Sequence, residues 1–271
     1  MRRLAILLMI FIYSRGAIGS EIDTIPWTAS NIAKLNKLDK ATVAAFINNL
    51  GDSGSPVLDP YRISSFKWED LAPDGRAELM IWTYFPAISW LTIYWREPDG
   101  TFHAQTLSGE KNEIKDLDGT GKKEIIMDSY LDPAGRRGAN PTPVWPQVYR
   151  LQGEKYVPAT KDLSGLYAYY EREILPKLND KIDKTKRTWP PGEVDNAVAV
   201  LEMQRDKILR VLELDPTAGL EEAKQWVKSE NPDMVYNSWC VFQDIPGHKA
   251  EADSAHQTWL QAMQRQRSNG P

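Results

Sequence analysis

The sequence predicts an α+β protein, with two antiparallel β units in mid-chain flanked by an N-terminal helix and a helical C-terminal half. Three observations carry this expectation. Apolar residues recur at helical spacing on both sides of a stretch from about 63 to 160. That stretch is built instead of aromatic and β-branched runs broken by Gly, Pro and Asp. The same stretch also repeats itself at an offset of 46 positions (116 − 70).

The chain opens with Met1-Arg2-Arg3, an apolar run over residues 4–13, and the small residues of Ala17-Ile18-Gly19. Basic, apolar, small-residue order is that of a secretory leader, so residues 1–19 are expected to be removed. The apolar run is shorter than the roughly 20 residues a spanning helix needs, and no later stretch is long and apolar enough to remain in a membrane. A retained N-terminal anchor is the alternative. No Cys follows the run to take a lipid.

Residues 28–50 carry Ile32, Leu35, Leu38, Val43, Phe46, Ile47 and Leu50 at three- and four-residue steps, which predicts one helix with Thr28 or Ser30 as its cap. The first β unit follows. Asp70-Leu71-Ala72-Pro73-Asp74-Gly75-Arg76-Ala77-Glu78 leads into a strand ending on Tyr84, then a hairpin that turns at Pro98-Asp99-Gly100. The second unit repeats the order. Asp116-Leu117-Asp118-Gly119-Thr120-Gly121-Lys122-Lys123-Glu124 leads into a strand ending on Tyr130, then a hairpin that turns at Gln152-Gly153. Both close on Leu-Ser-Gly, at 107–109 and 163–165. The second unit holds an insertion over residues 131–146 with Arg136 and Arg137 at its tip, either solvated or meeting an anion.

After Gly165 the pattern turns helical. Residues 166–178 present Tyr167, Tyr169 and Tyr170, and Pro190-Pro191-Gly192 interrupts. Val194, Val198, Leu201, Ile208, Leu209 and Leu212 mark an amphipathic helix. Asp215-Pro216 is expected to cap the next helix over 218–227, Asn231-Pro232 breaks the chain again, and a last helix is expected near 250–266. The expected divisions are therefore 1–19, 20–60, 61–165 and 166–271.

Composition narrows function. Three of the 33 Lys and Arg lie in the leader, leaving 30 against 37 Asp and Glu. That balance excludes a basic nucleic-acid-binding surface and favours solubility. Cys240 is the one cysteine, so no internal disulfide forms, and a buried thiol is expected. The ten Trp and eleven Tyr fill a core or line a binding face.

Asp116-x-Asp118-Gly119-Thr120-Gly121-x-x-Glu124 is the motif with the clearest chemistry. Oxygen donors on alternate residues of a tight loop, closed by a downstream carboxylate, suit a hard cation such as Ca²⁺. The two glycines let the backbone curl where a side chain would obstruct it. The loop resembles the calcium turns of FG-GAP and VCBS repeats, the blades of integrin-alpha-type propellers. The match runs closely over 116–127, loosely over 70–81, and with the hairpins spans about 63–165. The resemblance implies propeller-blade-like β units, and Ca²⁺ held by Asp116, Asp118, Glu124, the Thr120 hydroxyl and the Lys122 carbonyl. In the first copy, Ala72 and Pro73 replace the second Asp and its Gly, so no metal is expected there. The plain alternative for both loops is a turn whose Asp side chains bond their own backbone.

Catalytic patterns do not assemble. Gly51-Asp52-Ser53-Gly54-Ser55-Pro56 resembles the nucleophile loop of chymotrypsin-like serine proteases, whose histidine precedes the serine. Here the three histidines, His103, His248 and His256, all follow it. There is no nucleophile elbow, P-loop, dinucleotide fingerprint or H-E-x-x-H zinc pattern. Residues 212–216 resemble a junction between tetratricopeptide repeats, but one junction does not make an array. The expectation is a secreted or periplasmic, non-catalytic, calcium-stabilised binding protein with a protein or glycan partner. The alternative is a cell-envelope hydrolase with an acid pair that no spacing selects.

Overall fold

A computed structural model of the chain describes residues 22, 25–49, 58–85, 88–109, 112–132, 141–153, 155–190 and 194–268. The leader expected at 1–19, the Gly51-to-Pro56 string and Arg136 and Arg137 lie outside these residues. The fold is α+β, with two four-stranded antiparallel sheets and helices on either side of them in the chain. Among the described residues no helix is long and apolar enough to cross a membrane. The chain forms two compact units. Of the described residues, the first takes those up to Ser108 with residues 121–123, 153 and 155; the second takes the rest.

In the first unit, β1 (Ile63–Glu69), β2 (Glu78–Phe85), β3 (Ile88–Arg96) and β4 (Phe102–Ser108) pair in chain order. Short turns between apolar strands leave each strand beside its sequence neighbour. Trp68 lies opposite Leu79, and Phe66 opposite Ile81. Trp68, Leu79 and Ile81 share a core with Trp27, Leu35, Val43 and Phe46 from the N-terminal segment. Trp27 meets Trp68 edge-on, with ring centroids 4.4 Å apart at 87°, the geometry the aromatic quadrupole prefers.

The single helix expected over 28–50 is instead a 3-10 turn (Ala29–Asn31), α1 (Ile32–Leu35) and α2 (Lys40–Asn49). Asn36 causes the break. Its Nδ2 donates to Trp68 O at 3.1 Å, and its Oδ1 accepts Trp68 N at 2.7 Å. One side-chain amide thus fills the outer edge of β1 as a further strand would. Lys40 Nζ donates to Ser64 O on the same strand at 2.8 Å. Asp39 restarts the helix by accepting Thr42 N at 2.7 Å. Thr28 and Ser30 do not act as caps; their hydroxyls bond each other at 2.9 Å.

In the second unit, β5 (Asn112–Lys115), β6 (Glu124–Tyr130), β7 (Val144–Gln152) and β8 (Lys155–Pro158) also pair in chain order. The register matches the first sheet. Glu69 faces Glu78 and Lys115 faces Glu124; Trp68 faces Leu79 and Ile114 faces Ile125. Leu79 faces Tyr94 and Ile125 faces Tyr149; Thr83 faces Trp90 and Ser129 faces Trp145. The third strands are therefore offset by 55 positions (149 − 94), against 46 for the second strands, a net insertion of nine residues. The insertion expected over 131–146 ends earlier, because residues 144–146 already belong to β7. The two Leu-Ser-Gly strings play different parts. Leu107 and Ser108 end β4, whereas Leu163 and Ser164 lie in a turn beyond β8.

The helix expected over 166–178 runs on as α3 (Leu166–Ala168), a π-helical stretch (Tyr169–Ile174) and α4 (Leu175–Thr188). Pro176 has no N–H for the preceding turn and its ring crowds the carbonyl four residues back, which the wider π turn accommodates. α5 (Val194–Val211) follows its apolar pattern. Asp215 closes a turn by accepting Thr217 N at 3.0 Å instead of capping a helix. α6 (Leu220–Trp226) starts at Gly219, whose φ is +86°. α7 (Pro232–Asp244) was not expected from the sequence. Asn231 Oδ1 accepts Asp233 N at 2.9 Å, and Pro232 opens the helix. Residues 234–242 are buried on every side, so no polar face marks the helical period. α8 (Lys249–Ser268) closes the chain.

Two cores hold this unit. Ile126, Trp145 and Val148 of the sheet pack with Tyr170, Ile182, Val198 and Leu201. Tyr236, Trp239, Cys240 and Phe242 of α7 pack with Ala252 and Ala255 of α8. Cys240 is a free, buried thiol, as expected. Burial pushes its pKa up, so it remains protonated and inert.

Candidate metal centre

Two turns of the same design join the first and second strand of each sheet. In each, a buried Glu at the start of the second strand reaches back to the turn. Glu78 Oε2 accepts Leu71 N at 2.8 Å, and Glu124 Oε2 accepts Leu117 N at 2.8 Å. The leading Asp also binds its own turn, Asp70 Oδ2 accepting Gly75 N at 3.2 Å and Asp116 Oδ1 accepting Gly119 N at 2.8 Å. Gly75 and Gly121 stand at equivalent places with φ of +83° and +85°, which only glycine adopts without strain.

The second turn brings together the three carboxylates singled out in the sequence. Ligand oxygens of Asp116, Asp118 and Glu124 lie within 4.8 Å of one another, Asp116 exposed and Glu124 buried. The Thr120 hydroxyl donates to Asp118 Oδ1 at 2.6 Å, and Thr120 N donates to the same oxygen at 3.0 Å. Thr120 is therefore beside the cluster, and Lys122 is an exposed residue of the same turn. The Thr120 hydroxyl holds Asp118 below the usual carboxylate range. Burial raises Glu124, and the nearby charges of Asp118 and Asp116 raise it further. This donor set is hard oxygen throughout, which suits Ca²⁺ or Mg²⁺ better than a softer metal.

The first turn answers the same charge problem with its own side chain. Ala72 takes away the third-position carboxylate, and Asp74 supplies one at the fifth. Arg76 claims it: Nη2 lies 2.6 Å from Asp74 Oδ2, Nε donates to the same oxygen at 2.8 Å, and Nη1 lies 2.9 Å from Glu97 Oε2. Burial pushes Asp74 up, but the Arg76 guanidinium outweighs it and holds the group low. Glu78, 8% exposed, is raised to about 7, chiefly by burial and then by Asp74 and Asp70. A carboxyl shifted that far also occurs at catalytic acids, yet this one faces its own turn through Leu71.

Lys123 directly precedes Glu124, the first residue of β6. It belongs with the first unit, where its N–H donates to Leu71 O at 2.9 Å and its Nζ lies 2.5 Å from Glu69 Oε1. Sequence reasoning missed the Arg76 clamp. The signal was present in an arginine two residues after Asp74, at the position where the other turn has Lys122. No family model matches this chain, and searches of curated proteins and of solved structures found no match.

Proposed function

We propose that the chain is a non-catalytic binding protein of the cell exterior or periplasm, built on two blade-like β units of the FG-GAP/VCBS kind. Its second turn takes a calcium ion that stiffens the loop, and its partner is a protein or glycan. The observation behind this is the contrast between the two turns. One neutralises its acids with Arg76, while the other gathers Asp116, Asp118 and Glu124 within 4.8 Å. A divalent cation would relieve the repulsion that raises Glu124, with Asp116, Asp118 and Glu124 as its carboxylate ligands and the Thr120 hydroxyl and Lys122 carbonyl beside them.

Thermal unfolding with EDTA and with excess Ca²⁺ tests this. At a hundred times its Kd, the ion stabilises the fold by about 2.7 kcal/mol, and Asp118→Asn abolishes the shift. An unchanged midpoint in Ca²⁺ would leave the turn as backbone-bonded Asx geometry. Turnover of a peptide, glycan or ester panel that Asp118→Asn eliminates would replace binding with hydrolysis.

A further inference from the structure

The second unit carries a cationic stripe that the turns do not use. α4 buries Leu178, Ile182 and Thr185. At 3.6 residues per turn, Lys177, Lys181 and Lys184 then share one flank of the helix, about 100° round from the buried stripe, and all three are exposed. None of them forms an ion pair among the described residues. Their neighbours are engaged: Lys186 pairs with Glu202 at 3.1 Å, and Arg187 donates its Nε to Asp183 O at 3.1 Å. The helix dipole favours cations in the last turn, which accounts for Lys186 and Arg187 but not for Lys177 or Lys181. Just past that turn the backbone extends at Trp189, whose side chain is 46% exposed. A large aromatic thus stands in solvent at the end of the lysine-bearing helix.

We infer that this face of α4 docks on an anionic phospholipid surface, with the lysines on headgroup phosphates and Trp189 in the interface. Charge complementarity selects an anionic occupant, because on this flank three lysines that form no ion pair among the described residues outnumber the one acid, Asp180, on a chain of net charge −4. Trp189 selects a membrane over a soluble polyanion, since an indole is stabilised where apolar and polar layers meet. Asp180, three residues after Lys177 and four before Lys184, shares the lysine face, and the exposed Asp183 lies beyond it; both weaken the attraction, so docking is reversible and sensitive to salt.

The test is co-sedimentation of the full chain with vesicles of phosphatidylcholine alone and of phosphatidylcholine with phosphatidylglycerol. The neutral vesicles give the baseline that the apolar run at 4–13 would also produce, and the increment due to phosphatidylglycerol reports the stripe. Replacing Lys177, Lys181 and Lys184 together by Gln is expected to lower that increment about a hundredfold, and Lys181→Gln alone about fivefold. Brominated lipid should quench part of the tryptophan emission, and Trp189→Phe should remove that part. Binding without a phosphatidylglycerol increment, or an increment unchanged in the triple variant, overturns the inference. So does tighter binding to a heparin fragment that Trp189→Phe leaves unaltered.

Discussion

Leu117 donates its backbone N–H to the buried carboxylate of Glu124 at 2.8 Å, and 46 positions earlier Leu71 does the same to Glu78 at the same distance. In both sheets this bond ties the second residue of the turn to the first residue of the following strand. The glutamate is therefore a clamp whether or not a cation is present, which explains why a carboxylate persists in the turn that carries its own guanidinium. A bond to an ionised acceptor is worth more than a neutral one, but burying that ion opposes it. The balance is open to measurement.

Glu78 should make the fold less stable as pH rises. Its folded pKa is about 7 against 4.5 for the free group, so the folded chain holds the proton more tightly than the unfolded one. The contribution is fully present below about 4.5 and lost as pH passes through about 7, amounting to about 3 kcal/mol. Urea unfolding at pH 5 and pH 8 checks this. Glu78→Gln keeps an oxygen for Leu71 and should flatten the slope. A variant with the parent's slope would assign the pH dependence elsewhere.

Arg76→Met should destabilise the first unit by about 1 kcal/mol, since its partners Asp74 and Glu97 are only partly buried and exposed ion pairs contribute little. The gap between variant and parent should narrow in high salt. An equal gap at low and high salt would mean that the arginine stem acts through packing.

What could be read from the sequence depended on whether a feature repeats or alternates. The turns were legible because the Asp, Gly and Glu of one recur in the other, and the register of Trp90 and Trp145 shows how deep the likeness runs. The trio of carboxylates was legible from the alternate Asp116 and Asp118, the downstream Glu124 and the resemblance to FG-GAP and VCBS loops. α7 showed no periodicity, because residues 234–242 are all buried and a helix without a polar face has no visible period; its one signal, the cap and proline of Asn231-Pro232, reads equally as a break. Asn36 was hidden for another reason: its partner Trp68 is 32 residues away, so a tertiary bond ends a helix that local spacing would continue. The Leu-Ser-Gly strings misled because one ends a strand and the other precedes a helix.

Asn36→Ala should cost about 2 kcal/mol, because it removes two bonds and leaves the Trp68 N–H and C=O at the edge of β1 unmatched. Hydrogen exchange locates the effect. The Trp68 amide should lose protection, while the Leu117 amide, bonded to Glu124, should keep its own. Asn36→Asp removes the donor alone and should cost less. An Ala variant with undiminished protection at Trp68 would show that the strand edge is held by its other contacts.

Gly165 and Gly119 separate the cost of a conformation from the cost of a contact. Both have positive φ, +85° and +73°, and both lose glycine's freedom on substitution by Ala. Around Gly119 there is nothing within 4 Å of an added Cβ, so Gly119→Ala should cost only about 1 kcal/mol for the left-handed backbone. At Gly165 the new Cβ would stand 1.9 Å from Leu117 O and 2.7 Å from its carbonyl carbon, both rigid backbone. That peptide must move, and Leu117 N is the donor that Glu124 holds. Gly165→Ala should therefore cost more than about 3 kcal/mol and disturb the Asp116 turn from a residue outside it. Chemical unfolding gives the two costs, and exchange at the Leu117 amide gives the disturbance. Equal costs would mean that backbone conformation alone governs both sites and that Leu117 yields freely to its neighbour.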